Sequence, residues 1–149
     1  MGASGLLIRP ARQADAAAIA VLIDQLGHPG SSAADVAARL PLIEAAGMDA
    51  LVAELNGRVV GCLTTSVMPV LHRAQPVGRI SMLVVEDALR GQGIGAALLR
   101  AGEAALETRG CAMIEVTSNM KRKDAHRFYE REGYEATSLR FSLNSEAGH

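Results

Sequence analysis

A mixed α/β fold is what this sequence predicts: a mostly antiparallel sheet with helices on both faces, in the order β-α-α-β-β-β-α-β-α-β. Three observations carry that expectation. Apolar residues alternate at strand spacing in some stretches and recur at helical spacing in others. Asn56-Gly57 joins two strand-like stretches, and this dipeptide readily supplies the positive φ angles of a tight hairpin turn. "GRISMLVV" leads through a glycine-rich loop and a helix into another strand, a unit typical of α/β sheets.

The elements follow in order. "LLIRPA" alternates apolar and polar positions and stops at a proline, as a first strand would. Asp15 is placed to cap a helix in which Ala18, Val21, Leu22 and Leu26 recur at helical spacing up to Gly27. After the loop "GHPGS", Ser32 caps a second helix, "ADVAARLPLIEAAG", which Pro41 should kink or interrupt. The hairpin "DALVAELNGRVVGCLTTSV" and the strand "GRISMLVV" come next. A helix then carries Ile94, Leu98, Ala101 and Ala105 on an apolar face, with Arg100, Glu103 and Glu107 opposite, until Gly110 stops it. "CAMIEVTS" is the next strand, "KDAHRFYERE" the last helix and "YEATSLRFSL" the last strand.

A chain of 149 residues is enough for one domain with one sizeable core, so a single domain over residues 1–149 is expected. With 49% hydrophobic residues and a formal net charge of −1, the composition is that of a globular protein and argues against nucleic acid as a main partner. The apolar runs fall short of the ~18 residues a membrane span needs, and the start lacks the pattern of a secretory signal. A cytoplasmic location is the resulting expectation. Cys62 and Cys111 each lie in an apolar run without a partner at metal-ligand spacing, so both read as buried core thiols and no metal is expected.

Chemistry concentrates in "LRGQGIGAALL". "GQGIGA" fits the pattern G-x-G-x-x-G/A after a strand and before a helix, as a dinucleotide site would. Its late position leaves little room for a doubly wound sheet, and Glu115 lies inside its strand rather than at its end. A P-loop is excluded because no Gly-Lys-Ser/Thr follows. Two readings remain: a pyrophosphate cradle built from main-chain amides at a helix N-terminus, or a loop whose glycines merely permit a tight turn.

"LVVEDALRGQGIGAALL" resembles the acetyl-CoA-binding segment of the GCN5-related N-acetyltransferases, with Arg90, Gly93 and Gly95 matching its Arg/Gln-x-x-Gly-x-Gly/Ala signature. "EVTSNMKRKDAHRFYEREGYEATSLRF" resembles that family's second characteristic segment. The resemblance implies a GNAT-like sheet and acetyl-CoA as co-substrate. The pantetheine arm would pair with the main chain of Leu83, Val84 and Val85. The pyrophosphate would meet the amides of Arg90, Gly91, Gln92, Gly93, Ile94, Gly95 and Ala96. Asn119 matches an Asn near the pantetheine arm, and Tyr129 matches the usual general acid.

The resemblance also implies an amine acceptor, which must lose a proton before it can attack. An alkylammonium of pKa ~10.4 makes that cost roughly 4–5 kcal/mol at pH 7, so a base is expected. Many members carry a Glu near the start of the strand before the loop, where this chain has Arg79, Ser81 and Met82. Glu115 is the substitute, because "IEVTSN" resembles the ribosomal-protein N-terminal acetyltransferases, in which the matching Glu is the base. His72 and Arg79 are candidate acceptor residues, Arg79 for a carboxylate or phosphonate; a snorkelling surface Arg is the alternative. "KRK" at 121–123 is either a contact for the 3′-phosphate of CoA or a solvated face.

"NMKRKDAHRFYEREGYE" is similar to the aminoalkylphosphonate N-acetyltransferases. The expected protein is thus an acetyl-CoA-dependent N-acetyltransferase using a small-molecule amine by direct attack in a ternary complex, with a homodimer common among its relatives. A catalytically degenerate acyl-CoA-binding sensor or interaction module is the competing class.

Overall fold

A computed structural model describes residues 5–117 and 123–145. Two compact units divide the chain, Met1–Thr117 and Ser118–His149. In the first, strands β1 (Leu6–Pro10), β2 (Ala50–Leu55), β3 (Arg58–Met68), β4 (Val77–Val85) and β5 (Met113–Val116) form one sheet in that spatial order. The first four run antiparallel and β5 lies parallel to β4. The parallel pairing requires a crossover, which α3 (Ile94–Thr108) supplies.

Local chemistry explains the turns. Asn56 and Gly57 take φ of 51° and 82°, the left-handed pair that a two-residue hairpin between β2 and β3 demands. Helix α2 (Ala33–Ala45) opens on a capping box, with Ser32 Oγ accepting from Asp35 N–H at 3.1 Å and Asp35 accepting from Ser32 N–H at 3.0 Å.

The sheet is covered on both faces. Ala16, Ile19 and Leu22 of α1 (Ala16–Gln25) and Val36 of α2 cluster with Val52, Cys62 and Val84 on one face. On the other, Leu98, Leu99 and Leu106 of α3 are fully buried with Leu63 and Ile80. Helix and sheet approach closely there. A Cβ on Gly102 would lie 2.8 Å from Leu63 Cδ2 and 3.2 Å from Ile80 Cδ1. Gly102→Val therefore overpacks this contact and is expected to cost about 2–3 kcal/mol of unfolding free energy, read as a lower urea midpoint at unchanged slope.

Four expectations for this first unit need correction. The buried stripe of α1 is Ala16, Ile19 and Leu22, while Val21 points outward at 59% exposure. On α3 the deeply buried positions after Ile94 and Leu98 are Leu99, Gly102 and Leu106 rather than Ala101 and Ala105. Helix α2 is not interrupted at Pro41, where the carbonyl that proline leaves without a helical donor, Ala37 O, accepts from the Gln13 side-chain amide at 2.9 Å. Asp15 occupies the N-cap position of α1 without capping it: its carboxylate accepts from Arg12 N–H and from Arg9.

In the second unit α4 (Lys123–Arg131) closes on a Schellman motif, with Gly133 at φ 101°, Tyr134 N–H donating to Tyr129 O and Gly133 N–H to Glu130 O. The final strand expected in "YEATSLRFSL" is not formed. Residues 134–145 have no regular secondary structure, and Leu139, Phe141 and Leu143 are exposed. Alternation supplies a strand's two faces but not the neighbour whose hydrogen bonds make it a strand.

Candidate active site

The glycine-rich stretch lies directly after β4. A single 3-10 turn, Asp87–Leu89, carries the chain from the strand into the loop, and Arg90 pairs with Asp87 at 2.8 Å. Gly91 and Gly93 both adopt left-handed backbone, φ 84° and 82°, and Gly93 is the N-cap residue of α3. An L side chain is strained at either position. Residues Arg90 to Gly93 are exposed, and nothing lies within 4 Å of where a Gly91 Cβ would be. The first amides of α3, from Ile94, Gly95 and Ala96, have no helical acceptor and stand where the helix dipole favours an anion. The loop thus fits a pyrophosphate: donors, a favourable field and open space.

Leu83, Val84 and Val85 form the end of β4 that feeds this loop. β4 pairs with β5 only from Val77 to Ile80, and on the β3 side its register breaks, with Thr64 opposite Met82 and Thr65 opposite Ile80. Ser81 is the extra residue of that bulge. From Ser81 onward, the described residues give β4 no ladder partner on its β5 side, which leaves main-chain groups for an extended ligand arm to pair with.

The face under α1 and α2 changes character along β3 and β4. It is apolar at Cys62, Met82 and Val84. Strand alternation then puts Thr64, Ser66 and Arg79 on it, and Thr64 Oγ1 and Ser81 Oγ lie 2.8 Å apart. Glu115 stands beside Arg79 in the parallel register, and its Oε1 accepts from Arg79 Nε at 3.1 Å and Nη2 at 2.7 Å. Both side chains are about one-third exposed, 28% and 35%. The opposite face stays buried at Leu63, Thr65, Gly78 and Ile80. The sequence singled out Arg79 and Glu115 but not Thr64, Ser66 or Ser81; polar residues at every second position of "CLTTS" and "RIS" were the available signal.

The other singled-out residues fall elsewhere. His72 lies in the exposed β3–β4 loop, away from any regular element. Tyr129 is on α4, half-buried, its ring edge-to-face with Phe128 at 5.1 Å and Tyr134 at 5.9 Å. Asn119 and the first two residues of "KRK" lie outside the described residues. A cleft of about 460 Å³ between the end of β1, α2 and Arg109 has none of them in its lining. Arg109 there is held by Asp49 at 2.8 and 3.2 Å and ties the end of α3 to the start of β2.

Mixed sheet, crossover helix and glycine loop at the helix mouth together define an acyltransferase fold. Residues 20–134 match the model of the acetyltransferase (GNAT) family, and the chain belongs to that family. An acetyltransferase of Trypanosoma brucei superposes with a TM-score of 0.81 at 26% identity, over 94% of this chain and 99% of that one. An aminoglycoside N-acetyltransferase solved in complex with CoA superposes at 0.83 with 18% identity, over 95% of each chain, a likeness of fold. An aminoalkylphosphonate N-acetyltransferase of Salmonella typhimurium is 44% identical over 87 residues. That stretch is 58% of this chain and 56% of the relative, so the match spans little more than half of each. Among the described residues no helix is long and apolar enough to cross a membrane.

Proposed function

We propose that this single N-acetyltransferase domain transfers an acetyl group from acetyl-CoA to the primary amine of a small molecule by direct attack in a ternary complex. The observation that carries the proposal is the glycine loop: two left-handed glycines, Gly91 and Gly93, lead into the mouth of α3, directly after a strand end with an unpaired edge, while the Arg90 N–H turns back to Asp87 O at 3.4 Å. Leu83 to Val85 pair with the pantetheine arm and the loop amides hold the pyrophosphate. Bound acetyl-CoA supplies the activated thioester.

Glu115 takes the proton that the amine must lose, and its Oε2 receives no hydrogen bond from any described residue. Tyr129 gives its phenolic proton to the departing thiolate; a phenol of pKa ~10 is protonated at neutral pH and suits that task. The names of the relatives, on aminoalkylphosphonates and aminoglycosides, support a small-molecule acceptor.

The test is calorimetry with acetyl-CoA followed by thiol release over a panel of amines. Heat with acetyl-CoA and turnover on at least one amine are expected. Heat with NAD instead, or binding of acetyl-CoA with no turnover on any amine, overturns the proposal, the latter in favour of an acyl-CoA-binding module. Glu115→Gln is expected to lower turnover about 100-fold and to flatten the low-pH limb of the rate profile. A variant that keeps that limb removes Glu115 from the role.

A further inference from the structure

We propose that Arg79, with the Thr64–Ser81 hydroxyl pair, forms an oxyanion subsite that makes this enzyme select zwitterionic acceptors, in which an amine and an oxyanion sit on one short skeleton. The inference rests on the reading that Glu115 receives the amine.

Five polar side chains, Thr64, Ser66, Arg79, Ser81 and Glu115, come together on three adjacent strands at the centre and one edge of a sheet. On the same strands the face under α3 is apolar and closed. Folding alone has no need of this polar patch, since alternating hydrophobic residues would extend the cover of α1 and α2.

A guanidinium carries five N–H groups. Arg79 spends Nε–H and one Nη2–H on a single oxygen, Glu115 Oε1, which leaves Nη1 without a partner among the described residues. Thr64 and Ser81 share one hydrogen bond, so one of the two hydroxyls keeps its O–H for something else. The bulge at Ser81 is what turns that hydroxyl onto the Arg79 face. The patch therefore offers an unused guanidinium edge, a spare hydroxyl donor and one open carboxylate oxygen.

Charge then decides the ligand. A simple cation drawn to Glu115 would also meet Arg79, and a simple anion drawn to Arg79 would also meet Glu115. A zwitterion sets its ammonium by Glu115 and its oxyanion by Arg79, so each of four charges has an opposite neighbour. A polycation finds one carboxylate among the described residues of this patch, with a guanidinium beside it, and is disfavoured. The same ion pair holds Glu115 by one oxygen and turns the other toward the amine, so one contact serves recognition and positioning.

The experiment compares 2-aminoethylphosphonate, taurine and β-alanine with n-propylamine, which lacks the anion, in steady-state acetyl transfer. At least one zwitterion is expected to show kcat/KM about 10-fold or more above propylamine. Arg79→Gln should cut that ratio to below about threefold while leaving KM for acetyl-CoA unchanged. Ser81→Ala should raise the zwitterion's KM about two- to fivefold with little change in kcat. Equal use of propylamine by the native enzyme, or a ratio untouched in Arg79→Gln, overturns the subsite and leaves acetyl transfer standing. Should no amine turn over, equilibrium dialysis of 2-aminoethylphosphonate against the CoA-saturated protein decides. Binding lost in Arg79→Gln upholds the subsite, and absence of binding to the native protein overturns it.

Discussion

Tyr129→Phe is expected to lower acetyl transfer by about 100-fold or more while acetyl-CoA affinity stays within about twofold, the usual weight of a general acid. Phe keeps the ring and hence the edge-to-face contacts with Phe128 and Tyr134, so α4 should hold its place. What disappears is one proton donor. Without it the thiolate of CoA must leave unprotonated or draw on water. Thiol release in steady state reads the rate and calorimetry reads the binding. Native turnover in the variant would strip Tyr129 of the acid role, and a matching loss of affinity would make it a binding residue instead.

The second large effect is on stability. Arg9 lies across β1 with both η nitrogens on the Asp15 carboxylate, at 2.8 and 3.0 Å, and with Nε and Nη2 on Glu54 Oε1 at 3.1 and 3.0 Å. The side chains of Arg9 and Asp15 are only 10% and 8% exposed. Removing one member of such a pair strands the other, so Asp15→Asn is expected to cost about 3 kcal/mol at pH 7. The hydrogen bond from Arg9 holds the Asp15 carboxyl below its usual range; burial opposes it and the Arg12 N–H assists. A depressed folded-state pKa means stability that is full above the unfolded value of ~3.9 and is lost as pH falls through the folded value. Urea unfolding should therefore show a native-to-variant gap at pH 7 that narrows near pH 3. Equal midpoints at pH 7 would show that Glu54 alone suffices for Arg9.

Local chemistry was legible in the sequence and distant pairing was not. Asn56-Gly57, the Ser32 cap and the stop at Gly110 depend on the conformational reach of one or two residues, and each does in the fold what its type suggests. The phase of a helix depends on the surface it meets, and so Val21 of α1 points outward, while on α3 Leu106 is buried more deeply than the Ala101 and Ala105 that periodicity assigned. Pro41 sits inside a helix, and a glutamine 28 residues earlier answers the orphaned carbonyl, which no window around the proline reveals. The same holds for the site. Its glycines are read directly, whereas the pairing of Arg79 with Glu115 needs the register of two parallel strands 36 residues apart. The last strand failed for the converse reason: a strand-like pattern is present at residues 134–143, and its ladder is not.

Two thiols lie buried on opposite faces of the sheet. Cys62 is sealed beneath α1, and burial pushes its thiol up to about 12; Cys111 is packed near Gly78 and Leu106 at the end of α3, and burial raises it as well. Only a thiolate in contact with solvent can be alkylated, so neither cysteine reacts until its own face opens. The protein thereby carries two internal clocks, one timing the release of α1 and the other the release of α3, and a mass spectrometer can read the two alkylations apart.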